Sequence, residues 1–203
     1  MKLYPEKLQK VETYNLFVSS IVPRPIALVS TIDEHGTSNA APFSNFMCMS
    51  VKPFLVCVGI GYNRDGRKKD TLNNIEATEE FVINVVDEAL AEAMNTCSGE
   101  FPSDVSEFDE AGLTPVPCEL IKPPLIGESP INMECKLVQV LEFGDPGVGN
   151  CVVVGEVVLV HVRDELWTGK DVDDAKLKPI GRLGSNFYCR TTDSFAMKRP
   201  FST

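Results

Sequence analysis

The chain has 203 residues, 43% of them apolar and 24% charged, which suits a single domain spanning 1–203 with a sizeable core. Its net charge of −10 argues against nucleic-acid and anionic-membrane partners, because both need clustered Lys and Arg. No stretch reaches the length of a transmembrane helix, and the first seven residues lack a signal-peptide core, so a cytoplasmic protein is expected. The seven cysteines are widely spaced, odd in number and without a Cys-x-x-Cys, which fits reduced thiols better than a disulfide framework or a zinc site.

From the amino end, residues 26–32 are apolar and rich in β-branched side chains, which predicts a strand. Asp33-Glu34-His35-Gly36 predicts a turn, with 37–41 returning as the hairpin partner. Residues 54–60 form a continuous apolar run, too short for a typical helix and fit for a strand covered on both faces. The polar stretch 61–67 reads as loop. Asp70 is placed to cap a short helix from Thr71 to about residue 77, and 81–86 reads as another strand. After Asp87, the residues Leu90, Ala93, Met94 and Cys97 keep the spacing of one helix face, and Gly99 offers a stop. The Pro- and Glu-rich stretch 98–130 reads as irregular surface with one short helix near 105–111. Ile131, Met133, Cys135 and Leu137 then alternate with Asn132, Glu134 and Lys136, the period of a half-buried strand. A long turn at 144–150 leads into a Val-rich return strand, 151–162. The class is mainly β (α+β): about six strands, several joined by hairpins, closing into an antiparallel barrel with short peripheral helices, since closure removes exposed edges. The strands that read as apolar on both faces ask for cover from outside, by a second subunit or by the helices.

Four segments can carry chemistry. Lys68-Lys69-Asp70-Thr71 opens the first helix after a loop holding Arg64 and Arg67, and a helix N-terminus beside cations is an anion seat; the competing reading is a solvated basic loop. Ala40-Ala41-Pro42-Phe43-Ser44-Asn45-Phe46 combines small residues with Ser and Asn between apolar strands, which suits close approach to a flat polar-edged ring, or equally a strand with a bulge and turn. In Val22-Pro23-Arg24-Pro25 the prolines fix where Arg24 points, toward a phosphate or carbonyl, or simply along a rigid surface approach to the strand. Pro179-Ile180-Gly181-Arg182-Leu183-Gly184-Ser185-Asn186-Phe187-Tyr188 reads as a lid bringing an aromatic to a ligand or as a docking segment on the core. Gly59-x-Gly61-x-x-Arg64 has Arg at its third position and no repeated βαβ pattern around it, so a Rossmann fingerprint is not supported. His35 and His161 lie too far apart in the chain to suggest a histidine metal site or a catalytic triad.

Taken in order, these segments resemble the flavin reductase-like family of FMN-binding split barrels. The residues that carry the resemblance are Arg24-Pro25-Ile26-Ala27-Leu28-Val29-Ser30-Thr31, the turn 33–36, Asn39-Ala40-Ala41-Pro42-Phe43-Ser44, Lys69-Asp70-Thr71-Leu72, Asn74-Ile75, Glu80-Phe81-Val82-Ile83-Asn84, Glu128-Ser129-Pro130, Gly155-Glu156-Val157 and Gly181-Arg182-Leu183-Gly184. The resemblance implies a six-stranded Greek-key barrel and a homodimer with FMN at the subunit interface. It puts the phosphate near Lys69 and Thr71, next to Arg67, and the ring along Phe43, Ser44, Asn45 and Phe46 and the strand end at Ser30 and Thr31. Arg24 is a further candidate contact, and Arg182 or Tyr188 of the second subunit would complete the pocket. It also implies NADH or NADPH as co-substrate, passing hydride to flavin N5, with an oxygenase or other redox partner as recipient. The chemistry would be the flavin's, with no side-chain acid, base or nucleophile and no metal. A non-enzymatic FMN electron carrier is the alternative. Two departures stand out: Asn73 where relatives often carry a basic residue, and Asn45 where many have an aromatic.

Overall fold

Alternation decides which face of each strand turns inward, and here both faces of several strands find apolar cover. The computed structural model describes residues 1–198 and 200, so the end of the expected 1–203 domain, residues 199 and 201–203, lies outside the described residues. After α1 (Lys10–Ser20) come β1 (Ala27–Ile32), β2 (Ser38–Phe43), β3 (Phe46–Ser50) and β4 (Leu55–Gly61). The helix α2 (Asp70–Thr78) leads into β5 (Glu80–Val85), followed by α3 (Ala91–Thr96) and α4 (Glu107–Ala111). Two short strands, β6 (Pro115–Val116) and β7 (Leu125–Ile126), precede the long hairpin of β8 (Ile131–Phe143) and β9 (Asn150–Val162). The chain closes with α5 (Asp174–Leu177), β10 (Ile180–Arg182) and β11 (Tyr188–Arg190). No helix is long and apolar enough to cross a membrane among the described residues.

One antiparallel sheet dominates, in the order β2-β1-β5-β8-β9-β4-β3. It has seven strands where six are expected; the addition is β3. β2 and β3 stand at opposite edges of this order, yet only Ser44 and Asn45 separate them in the chain. The sheet must therefore curl until its edges meet, and at that corner the Gly59 amide of β4 donates to Asn45 O at 2.7 Å. Gly59 is required there, because a Cβ on it would lie 2.8 Å from Asn45 Cβ.

The curled sheet encloses Ala27, Val29, Val56, Val58, Ile60, Phe81, Ile83, Cys135 and Val153, with Leu72 and Ile75 of α2 completing the core. The alternate residues Ile26 and Leu28 pack outside, against Leu90, Met94, Phe108 and Ile126. This second core is why 26–32 reads as uniformly apolar, and helices α3 and α4 supply its cover. The stretch 98–130 is accordingly not mere surface: Phe108, Leu113, Ile121, Leu125 and Ile126 are all buried.

Gly155 on β9 faces the ring of Phe81, where a Cβ would stand 2.3 Å from Phe81 Cζ. Phe81 is fully buried and cannot swing aside. Gly155→Ala is therefore expected to cost about 1–3 kcal/mol, the usual price of overpacking. Urea denaturation should show the loss, and Phe81→Leu in the Gly155→Ala background should recover part of it.

Candidate functional site

Two cavities lie end to end beside β2, meeting at Pro42 and Ser98. The first, about 400 Å³, opens at the N-terminus of α2 between Asn39, Asn63, Arg67, Lys69 and Thr71. The second, about 980 Å³, is a wider cleft walled by α1, α3 and the β10–β11 hairpin, with Ser44 and Asn45 at its floor.

At the narrow end Lys69, not Asp70, holds the cap position of α2, and Asp70 is the first helical residue. The anticipated Asp70 cap is absent: no side chain caps this end, and Asp70 instead accepts from Ser103 Oγ at 3.3 Å. The first amides of a helix have no intrahelical acceptor, so this end presents N–H donors and the positive end of the dipole. Among the described residues Lys69 Nζ hydrogen-bonds only an amide oxygen, Asn63 Oδ1 at 3.3 Å, whereas Arg64 pairs with Glu100 at 3.3 Å and Arg67 with Asp65 at 2.7 Å. Thr71 is buried, and its hydroxyl donates to Asn39 Oδ1 at 2.9 Å. A cation without a carboxylate partner among the described residues, beside open amides, fits a phosphate monoester.

Behind this end sits a carboxylate that no motif in the chain singles out. Glu107 of α4 is buried and accepts from Asn39 Nδ2 at 2.9 and 2.8 Å and from the Ala40 amide at 3.0 Å. Burial raises its pKa more than these donors lower it. Cys97, also in the wall, has its thiol pushed up to about 12 by burial and then by Glu107, so it stays protonated and is no nucleophile.

The structure places the sequence candidates unevenly. Arg67, Lys69, Thr71 and Phe43 line the narrow cavity, with Phe43 mostly in the core; Ser44, Asn45, Arg24, Arg182 and Tyr188 line the wide cleft. Arg182 and Tyr188 line it within their own chain, stacked with the guanidinium 4.5 Å from the ring centre. Arg24 has its guanidinium spent internally, donating to Val18 O, Ile21 O, Leu183 O and Ser44 Oγ. Three candidates line neither cavity. Ser30 is fully buried, donating to Pro124 O at 2.6 Å and accepting from Asn84. Thr31 is fully buried behind Asn39 and accepts from Asn74 Nδ2 at 3.1 Å. Phe46 packs against the barrel core.

Residues 18–173 match the family described as flavin reductase like domain. An uncharacterised protein of Halalkalibacterium halodurans is 39% identical over 202 residues, covering 98% of this chain and 97% of its own. Nitrilotriacetate monooxygenase component B from Bacillus cereus superposes with a TM-score of 0.93 at 31% identity, covering 97% of this chain and 98% of its own. The 2-nitrobenzoate 2-nitroreductase of Pseudomonas fluorescens gives a TM-score of 0.89 at 36% identity, covering 98% and 96%.

Proposed function

The chain belongs to the flavin reductase-like family, and from that premise we propose that it binds FMN along β2 and works as an NAD(P)H-dependent flavin oxidoreductase. The observation that carries this reading is Lys69, free of any carboxylate partner among the described residues, beside the open amides of α2 at the end of a groove. When bound, FMN supplies hydride transfer at N5. The chain's own residues bind and orient. Lys69, the α2 amides and Thr71 would hold the phosphate, while Ser44 and Asn45 would offer polar contacts to the ring from the floor of the wide cleft.

Arg182, stacked on Tyr188, leaves a cation at the rim of that cleft for an anionic co-substrate such as NADH or NADPH. A homodimer fits the outward face of β3 and the turn after it, where Met47, Met49 and Val51 are 58, 57 and 93% exposed, an apolar display that a second copy would cover. A cytoplasmic location is part of this reading, as is a redox partner, an oxygenase among them, taking the electrons.

The visible spectrum of the purified protein tests the proposal, before and after FMN addition and then with NADH and NADPH under argon. FMN binding followed by bleaching with either nucleotide supports the reductase. Binding without bleaching would make the protein an electron carrier, and no binding would end the flavin reading. Lys69→Ala removes a charged hydrogen bond to phosphate and is expected to weaken FMN binding by about 1.5–3 kcal/mol, roughly ten- to a hundredfold. Riboflavin, which lacks the phosphate, should bind the variant and the parent alike.

A further inference from the structure

Thr71 points its only hydroxyl proton the wrong way for an anion. That proton goes to Asn39 Oδ1, at 2.9 Å, leaving only lone pairs toward the cavity. Phosphate oxygens are acceptors and need the proton turned outward. Asn39 is held in its present sense by Glu107, whose two carboxyl oxygens accept from Asn39 Nδ2 at 2.9 and 2.8 Å.

Reversing the Asn39 amide resolves the conflict at Thr71. Nδ2 would then donate to Thr71 Oγ1, freeing the Thr71 proton for the phosphate. It would also face Thr31 Oγ1, which now donates weakly to Asn39 Oδ1 at 3.4 Å and would have to turn its own proton away. The reversal turns Asn39 Oδ1 toward Glu107, and an ionised carboxylate there would repel it. A protonated Glu107 would not: one oxygen donates to Asn39 Oδ1 while the other still accepts from the Ala40 amide, now at 3.0 Å.

On the reading that FMN is the ligand, we propose that Glu107 is a positioning residue that takes up a proton from solvent when the phosphate is seated at Lys69 and Thr71, acting through reversal of Asn39. The surroundings of Glu107 favour that uptake. From α2 it faces Asp70, and from the end of α3 the neutral Cys97 thiol; β2 offers only Asn39 and the Ala40 amide. Lys69, Arg64, Arg67, Asp65 and Glu100 share the same cavity wall. A phosphate brought into that cavity adds a further negative charge, which disfavours an ionised Glu107. Burial already holds the Glu107 pKa above its ordinary value before any ligand arrives.

Glu107→Gln imitates the protonated state, with Nε2 donating to Asn39 and Oε1 accepting from Ala40. Calorimetric titration with FMN, in two buffers of different ionisation enthalpy, counts the protons taken up across about pH 5 to 8. The parent is expected to take up as much as one proton more per FMN than Glu107→Gln, and its affinity relative to that variant to fall by up to about tenfold per pH unit. Riboflavin should show neither difference. Should the variant not fold, the parent alone suffices: infrared difference spectra should show a protonated carboxyl appearing on FMN addition and none with riboflavin. Equal proton counts in parent and variant, or no such carboxyl band, would overturn this role for Glu107 while leaving FMN binding standing. No FMN binding at any pH would remove both.

Discussion

Arg24→Ala is expected to destabilise the protein by about 3 kcal/mol, in the upper range for a single substitution, because it dismantles a buried hydrogen-bond network. Arg24 is 6% exposed. Its Nη1 donates to Val18 O and Ile21 O at 2.6 and 2.7 Å, and its Nη2 to Leu183 O at 3.1 Å. The first two acceptors are carbonyls at the C-terminal end of α1, where the helix dipole favours a cation. The backbone adds a bridge, since Arg24 and Arg182 exchange N–H···O bonds at 2.9 and 2.8 Å. One side chain thus ties α1 and the β10–β11 hairpin to the start of β1, and those two elements are walls of the wide cleft. Burial and then the nearby Arg182 charge lower its pKa, so the carbonyl cage is what compensates the charge. Lysine cannot replace it, because one ammonium lacks the planar fork that reaches three elements at once. Arg24→Lys should therefore recover less than half of the loss in urea denaturation. Limited proteolysis should cut between about residues 8 and 22 faster in both variants, since α1 has no buried residue to hold it otherwise. Equal proteolysis of parent and Arg24→Ala would show that α1 is held by something other than this cage.

The same residue shows where the sequence stops being informative. The prolines around Arg24 announce a fixed direction but not a destination, and its acceptors are carbonyls that any sequence possesses. Strands β1, β4, β5, β8 and β9 were legible because their apolar residues answer to a core on one face or both. β3 was not, because Met47, Cys48 and Met49 are exposed and follow no inward-outward pattern. α1 was missed for a related reason: none of its residues is buried, so no stripe marks it, and its only local signal is the capping box of Gln9 and Glu12. The helix that opens beside Lys69 and Thr71 is legible, since helix starts and nearby cations are local features. Glu107 was hidden among Asp104, Asp109 and Glu110, where a carboxylate reads as solvated surface until α4 is seen against β2. Ser30 is set along the ring by the family resemblance alone, and the packing of 124–126 shows that its proton goes to Pro124 O.

A comparably large effect is expected at Glu134, which serves the scaffold rather than the groove. It is fully buried on β8 and accepts from the amides of Glu119 and Leu120 at 2.9 and 2.8 Å and from His161 Nε2 at 2.7 Å. These bonds pin the segment after β6 over a small cluster of Val82, Ile121 and Leu125. Cys118, packed on the same cluster, has its thiol pushed up to about 12 by burial and then by Glu134, so it acts as apolar filling. Glu134→Ala leaves two amides and the imidazole facing a void, at a cost of about 3 kcal/mol or more. Glu134→Gln keeps an acceptor and the volume, and should cost less. Burial works to raise the Glu134 pKa, but the Glu119 amide, His161 and the Leu120 amide outweigh it, and the carboxyl is held below its ordinary value. A depressed carboxyl contributes stability that is present above the ordinary carboxylate range and is lost as pH falls through the folded-state pKa. The stability gap between the parent and Glu134→Gln should therefore be widest at neutral pH and close on acidification below about pH 4. Urea midpoints followed by circular dichroism at a series of pH values would show it. A gap that stays constant down through that range would mean that Glu134 titrates alike in the folded and unfolded protein, and its bonds to the Glu119 and Leu120 amides and to His161 would then not favour the charged carboxyl.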